Sequence, residues 1–399
     1  MKKILITFML LSIFLLSGCS SYNEKDIIKE LNDKVSKSNS YYVEGQMEII
    51  NNEDIYTYDV KVSYSKGDNY RVELTNISND HKQVILRNKE GVYVVTPSLN
   101  KSFKFQSDWP YNNSQSYLLS SLVEDLSQEE GRTFEKNDEG YVFTTKVTYP
   151  NNESLVKQMI YINKKLKVTE VRVMDKDNKT QIKMVYNKID YNKNFNDNYF
   201  DLNSILEVSE KTEKMIPESE NPNTNGNRNT DDNANGNLNN TNDNENTNTN
   251  ENANTNTNTN TNTNTNTSTN TNEESQDVEE KTQGTATIED IIYPMYLPSN
   301  TYLKAQEKLN TDSGQRLILT FEGDSPFTLV EETVTYTKEH EIIPTYGELE
   351  FLLDSIAVVN DNSVNWISNG IEYYMVSDVM STSSLLEVAR SISVLPVSK

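Results

Sequence analysis

From residue 43 onward, apolar side chains return at every second position. Val43, Gly45, Met47 and Ile49 share one face, and Glu44, Gln46 and Glu48 take the other. Tyr56, Tyr58, Val60, Val62 and Tyr64 then alternate with Thr57, Asp59, Lys61 and Ser63. Tyr70, Val72 and Leu74 repeat the pattern after the turn Lys66-Gly67-Asp68-Asn69. A period of two predicts strands with one covered face. Further runs lie at Gln83 to Arg87, Val92 to Thr96, Phe103 to Phe105, Tyr141 to Tyr149, Val156 to Ile162, Val168 to Met174 and Gln181 to Tyr186. About ten short strands joined by Gly, Asn and Asp turns read as a meandering antiparallel sheet.

Two stretches keep the helical period instead. Ile27, Ile28, Leu31 and Val35 predict an opening helix. Ser114 to Leu126 predicts a second, with Tyr117, Leu118, Leu122, Val123 and Leu126 on one side. Two helices cannot cover so wide a sheet. The sheet is therefore expected to curl into a partly closed barrel, a curved half-barrel with helices at its mouth. Its lining of Tyr, Val, Met and Phe is either a packed core or a groove for an acyl chain or a hydrophobic peptide.

Composition divides the chain. Residues 217–284 are rich in Asn and Thr, with strict alternation from Thr255 to Thr267 and no apolar residues at core spacing. Such a tract cannot bury enough surface to offset the entropy of ordering, so it is expected to be a disordered linker between residues 19–216 and 285–399. The rival reading is an Asn-rich aggregation or adhesion element. Beyond it, strands are expected at Gln315 to Glu322, Pro326 to Tyr336 and Gly370 to Ser377. Helices are expected at Tyr346 to Val358, from the stripe Leu349, Leu352, Leu353 and Ile356, and at Ser383 to Ser393. The fold class is thus mainly β, with a small α+β domain at the end.

Residues 1–18 change where this protein must work. Lys2 and Lys3 precede an apolar run from Ile4 to Leu16, then Ser17, Gly18 and Cys19, the one cysteine in 399 residues. That is the plan of a signal peptide. The alternative, an uncleaved anchor, is short of the ~20 apolar residues a membrane span needs. Leu16-Ser17-Gly18-Cys19 resembles the lipobox of bacterial lipoproteins. The resemblance implies cleavage before Cys19, a diacylglyceryl group on its sulfur and an acyl chain such as palmitate on its amine. The protein would then be extracytoplasmic and lipid-anchored to the cell membrane. With no second thiol it is expected to stand on its core alone.

The formal net charge of −23 argues against nucleic acid as a partner. Reactive chemistry is sparse. His81, in a polar turn, and His340, between two glutamates, are expected to be solvated residues of different domains. They supply neither a catalytic base beside a nucleophile nor a metal site. The chain has no phosphate-binding glycine motif. Glu124-Asp125 and Glu129-Glu130 are expected on a solvated helix side, and Asp175-Lys176-Asp177-Asn178-Lys179 in a hairpin turn. These features predict neither catalysis nor a cofactor.

Three segments carry a resemblance: Tyr70-Arg71-Val72-Glu73-Leu74, Gly91-Val92-Tyr93-Val94-Val95-Thr96-Pro97, and Ser102-Phe103-Lys104-Phe105-Gln106-Ser107-Asp108-Trp109-Pro110. With the helix after them, they resemble LolA-like lipoproteins of spore-forming Firmicutes, the group of YdcC-type sporulation and GerS-type germination lipoproteins. Leu297-Pro298, Trp366, Gly370 to Tyr374 and Leu385 to Ser391 are similar to the C-terminal domain of MucB and RseB. The resemblance implies a half-barrel that binds an envelope partner, such as a cortex amidase or an anti-sigma factor. The alternative is a LolA-like carrier of acyl chains. Phe105, Trp109, Tyr111 and Tyr117 would frame the mouth, either as contact residues or as core.

Overall fold

Asn23 opens the first helix, α1 (Glu24–Ser36): its Oδ1 accepts the Asp26 N–H at 2.9 Å, with Glu24 and Asp26 in the positive first turn. Ile27, Leu31 and Val35 line its buried side, each worth about 1.5–3 kcal/mol of burial. The computed structural model describes residues 22–128, 130–206, 287–288, 291–311 and 314–392. The leader with Cys19 and the tract 217–284 lie outside the described residues.

The alternating runs all become strands: β1 (Ser40–Asn51), β2 (Asp54–Ser65), β3 (Asn69–Asn76), β4 (Lys82–Asn88), β5 (Gly91–Thr96) and β6 (Lys101–Phe105). After α2 (Leu119–Ser127) come β7 (Thr133–Lys136), β8 (Gly140–Lys146), β9 (Leu155–Asn163), β10 (Val168–Asp175) and β11 (Thr180–Tyr191). The C-terminal stretch contributes β12 (Thr301–Thr311), β13 (Gly314–Gly323), β14 (Phe327–Thr333), β15 (Glu341–Thr345), β16 (Glu348–Phe351), β17 (Ile356–Val359), β18 (Ser363–Ser368), β19 (Ile371–Val376) and α3 (Thr382–Arg390).

These strands form two sheets. One is twelve-stranded, in the order β15-β6-β5-β4-β3-β2-β1-β11-β10-β9-β8-β7; the other is seven-stranded, β12-β13-β14-β19-β18-β17-β16. Laid flat, the larger sheet would be roughly 50 Å wide at ~4.8 Å per strand. Yet Phe103 of β6, Val62 of β2 and Phe143 of β8 belong to one core cluster with Ile27 of α1 and Leu122 of α2. Curvature brings them together. The sheet stays open, with β15 and β7 as its two edges: it is the expected curved half-barrel, and other elements cover its concave face.

Three expectations need correction. The helix expected at Tyr346 to Val358 is instead the hairpin β16–β17. Its residues alternate between cores: Leu349 and Val358 face the larger sheet, while Ala357 and Val359 face the smaller. A strand buried on both faces is a continuous apolar run, which mimics a helical stripe. The second helix starts at Leu119, not Ser114, because Ser114 is held by the chain at Thr148 through N–H donation to the Thr148 carbonyl at 2.8 Å. The C-terminal stretch also sends β15 into the larger sheet, parallel to β6, which no periodicity announced.

Gly45 stands at a bulge where the pairing of β1 with β11 shifts. A Cβ there would come within 2.3 Å of the Val185 carbonyl oxygen. Gly45→Ala is expected to cost about 1–3 kcal/mol through overpacking. Urea unfolding of the variant, read as a lower midpoint at unchanged slope, checks this.

Candidate functional site

The mouth of the larger sheet is the first place to look for a site, and it is filled. Trp109, on the turn after β6, is 1% exposed, Tyr117 2% and Phe105 3%; Tyr111 alone stands out, at 49%. The Trp109–Pro110 peptide is cis. Trp109 ends a row of rings that crosses three strands. Tyr41 stacks on Tyr64 at 4.7 Å, Tyr64 meets Tyr70 at 4.9 Å, and Tyr70 meets Trp109 edge-on at 5.9 Å. The Trp109 carbonyl accepts from Arg87 Nη1 at 2.5 Å. Tyr111 donates from its hydroxyl to Asp68 at 2.8 Å, and the Arg87 guanidinium lies over its ring.

What fills the mouth is the hairpin β16–β17. Phe351 meets Tyr117 edge-to-face at 5.7 Å, and Leu349, Leu353, Ile356 and Val358 join the same core. Polar contacts fix this plug in place. The Tyr58 hydroxyl donates to the Leu353 carbonyl at 2.9 Å, and the Ile356 N–H donates to Gln83 Oε1 at 2.8 Å. Asn151 Nδ2 donates to Glu350 Oε1 at 3.0 Å. Ser107 Oγ and Asn112 Nδ2 both donate to Glu348 Oε2. A buried backbone group left without such a partner would cost about 1–3 kcal/mol. The apolar stripe of 346–358 mimicked a helix; Glu350, Asp354 and Ser355, polar residues inside an apolar run, were the signals against it.

The two histidines are not solvated as expected. His340 bridges the parallel strand to its neighbour, with Nε2 at 3.0 Å from Ser102 Oγ and Nδ1 at 3.2 Å from Asn100 Oδ1. His81 carries a buried Nε2, and burial lowers its pKa. Asp125 also departs from expectation. It is buried, and burial raises it to about 6 although Ser114 and Gln158 donate to it. Asp175 does make the expected turn: its Oδ1 accepts the Asp177 and Lys179 N–H groups, and these bonds lower its pKa. Among the described residues no cluster of His, Cys, Asp or Glu could hold a metal ion.

A cleft of about 560 Å³ opens between the β1–β2 turn and the end of α3, lined by Asn51, Asp54, Tyr56, Tyr296, Glu387 and Arg390 among others. Exposed Met295 stands at its rim, its N–H donating to the Ser391 carbonyl. Arg390 is drawn down by burial against the nearby charges of Glu350 and Glu387. Mixed carboxylates, amides and aromatic rings suit a polar surface contact rather than an acyl chain.

The family described as Sporulation protein YdcC-like matches residues 1–200. Sporulation protein YdcC of Bacillus subtilis (strain 168) is 30% identical over 397 residues, 98% of each chain. Among solved structures, a chain of the MucA/MucB complex of Pseudomonas aeruginosa is similar over 93% of this chain and 99% of its own, at 8% identity and TM-score 0.28. A chain of the Clostridioides difficile complex of the CwlD amidase with the GerS lipoprotein is similar over 45% and 99%, at 15% identity and TM-score 0.20. A LolA superfamily protein from Nitrosomonas europaea is similar over 46% and 100%, at 11% identity and TM-score 0.26.

Two outcomes follow from burial. Replacing Trp109 or Tyr117 by Ala is expected to cost about 3–5 kcal/mol each, seen as a lower unfolding midpoint. Glu331, in the core of the smaller sheet, is raised by burial from 4.5 to about 7, although the Ile292 N–H donates to it. The native state therefore holds that proton more tightly than the unfolded chain. The contribution of this group to stability is full below about pH 4.5 and is lost as the pH rises through about 7. Glu331→Gln should be more stable than the parent at pH 8 by roughly 1–3 kcal/mol, with the gap closing at pH 4. Thermal melts across that range check the sign.

Proposed function

Because the chain belongs to the YdcC-like family of sporulation proteins, we propose that it is a lipid-anchored, extracytoplasmic protein that binds another protein of the cell envelope and performs no catalysis. The observation that carries this reading is the filled mouth. Phe351, Leu353 and Ile356 occupy the apolar face where an acyl chain would lie, so binding is left to the outer surface and the sheet edges. The lipobox at Leu16 to Cys19 supplies the anchor, with two kinds of acyl attachment giving stable hold on the membrane. Fixed to a membrane, a modest surface contact gains from a high local concentration. The partner class follows the sequence resemblance: an envelope protein such as a cortex amidase or an anti-sigma factor.

The test is made in sporulating cells. Radiolabelled palmitate is expected to attach to the parent chain, and Cys19→Ala should move the protein from the membrane fraction to the soluble one. Chemical crosslinking and pull-down of the full chain should bring along one envelope protein reproducibly. An acyl lipid released from the Cys19→Ala protein, with no protein partner, would replace this reading by the carrier one.

A further inference from the structure

The smaller sheet ends on one side at β12, whose one strand neighbour among the described residues is β13. No described strand pairs with its other edge between Tyr302 and Asn310; the other edge strands are shorter, four residues in β16 and in β7 and five in β15, which contains Pro344. Large apolar side chains stand out along it: Tyr302 is 57% exposed, Leu309 45% and Leu303 38%. A long edge of this kind presents a row of unpaired N–H and C=O groups, a template for one more strand. The strand is also held in shape beforehand. The Tyr293 hydroxyl donates to Gln306 Oε1 at 2.7 Å, and Lys308 Nζ donates to the Ile288 carbonyl at 3.0 Å. A template ordered in advance loses little entropy when something docks.

We propose that β12 is the docking edge for an extended, basic segment of a partner protein, which joins the smaller sheet as an eighth strand. This rests on the protein-binding reading above and names its mode. Backbone hydrogen bonds would give the affinity and alternate side chains the selection.

The charges on the edge decide the occupant. Lys304 pairs with Glu322 and Arg316 with Glu332, while Lys308 is tied to a carbonyl. Glu307, at mid-strand, has no ion-pair partner among the described residues, so the uncompensated charge of the edge is negative. The surroundings reinforce it: residues 289–399 hold 17 acidic and 6 basic residues. A Lys or Arg opposite Glu307, flanked by apolar residues that reach Tyr302 and Leu309, is the complement. A second copy of the chain fits badly. Antiparallel pairing about a two-fold centred on Glu307, Lys304 or Lys308 opposes like charges directly. Centring on Gln306 sets Lys304 against Lys308, and centring on Ala305 meets the bulge between Leu303 and Ala305.

The probe is a nine-residue peptide of alternating Val and Lys, titrated against the full chain by fluorescence anisotropy. It is expected to bind the parent protein at least ten-fold more tightly than Glu307→Lys, whose circular dichroism should match the parent. The same peptide with alternate amides N-methylated should not bind. Equal binding of the methylated peptide, or no change in Glu307→Lys, overturns the proposal. In sporulating cells, the full chain with a benzoylphenylalanine at position 309 should give an adduct with the protein found by chemical crosslinking, and at position 156 none. A partner captured chemically but absent from the position-309 adduct sinks the docking edge and leaves the binding reading intact. No partner by either route removes both. An adduct of twice the chain's mass points to self-pairing and likewise overturns the proposal.

Discussion

The structure depends on covering one apolar face. A sheet of twelve strands exposes far more Tyr, Val and Phe than α1 and α2 can hide, with 13 and 9 residues between them. Left open, that face would lose the hydrophobic stabilisation that a disulfide-free protein needs. The hairpin β16–β17 completes the cover, with Leu349, Leu353, Ile356 and Val358 directed into the larger sheet's core. Ala357 and Val359 of the same hairpin direct their side chains into the other core. One short hairpin thus serves two cores, and its neighbours Tyr58, Gln83 and Asn151 satisfy the polar groups it takes inside.

Polar groups taken inside are the counterpart of that cover. Asp354 accepts from Ser368 at 2.6 Å and sits near the Tyr58 and Tyr373 hydroxyls, while burial raises the pKa of Glu350. Such groups cost desolvation and return geometry. A plug made of aliphatic side chains alone could slide along an apolar face. Hydrogen bonds of fixed partners hold it to one register.

Much of the larger sheet was legible in the sequence because its strands have one wet face, so a period of two survives in residues such as Val60, Lys61 and Val62. The helix α1 was legible for the same reason. Legibility failed where both faces are covered. Leu352 to Val359 is buried throughout and shows no period to read. The cap of residues 195–206 was missed too: Phe200, Leu202 and Ile205 cover the outer side of Val84, Leu86, Tyr93 and Val95. Its signal was present in the unbroken runs Val84-Ile85-Leu86 and Val92-Tyr93-Val94-Val95, which a sheet with one wet face would not carry. The mouth residues were legible as aromatic and near α2. Their burial was not, because it is produced by a segment some 240 residues further along.

The parallel strand β15 carries a consequence for assembly. It pairs with β6 across about 240 residues of sequence, as the Ser102–His340 contact measures. Closing so long a loop costs only slightly more entropy than closing a short one, but the contact cannot form until both ends exist. Whether the chain emerges from the ribosome or across a membrane, β1 to β11 arrive before β15 and the hairpin behind it. Through that interval the half-built sheet offers an uncovered aromatic hollow and a bare β6 rim, and both stay exposed until the chain has emerged as far as Val359.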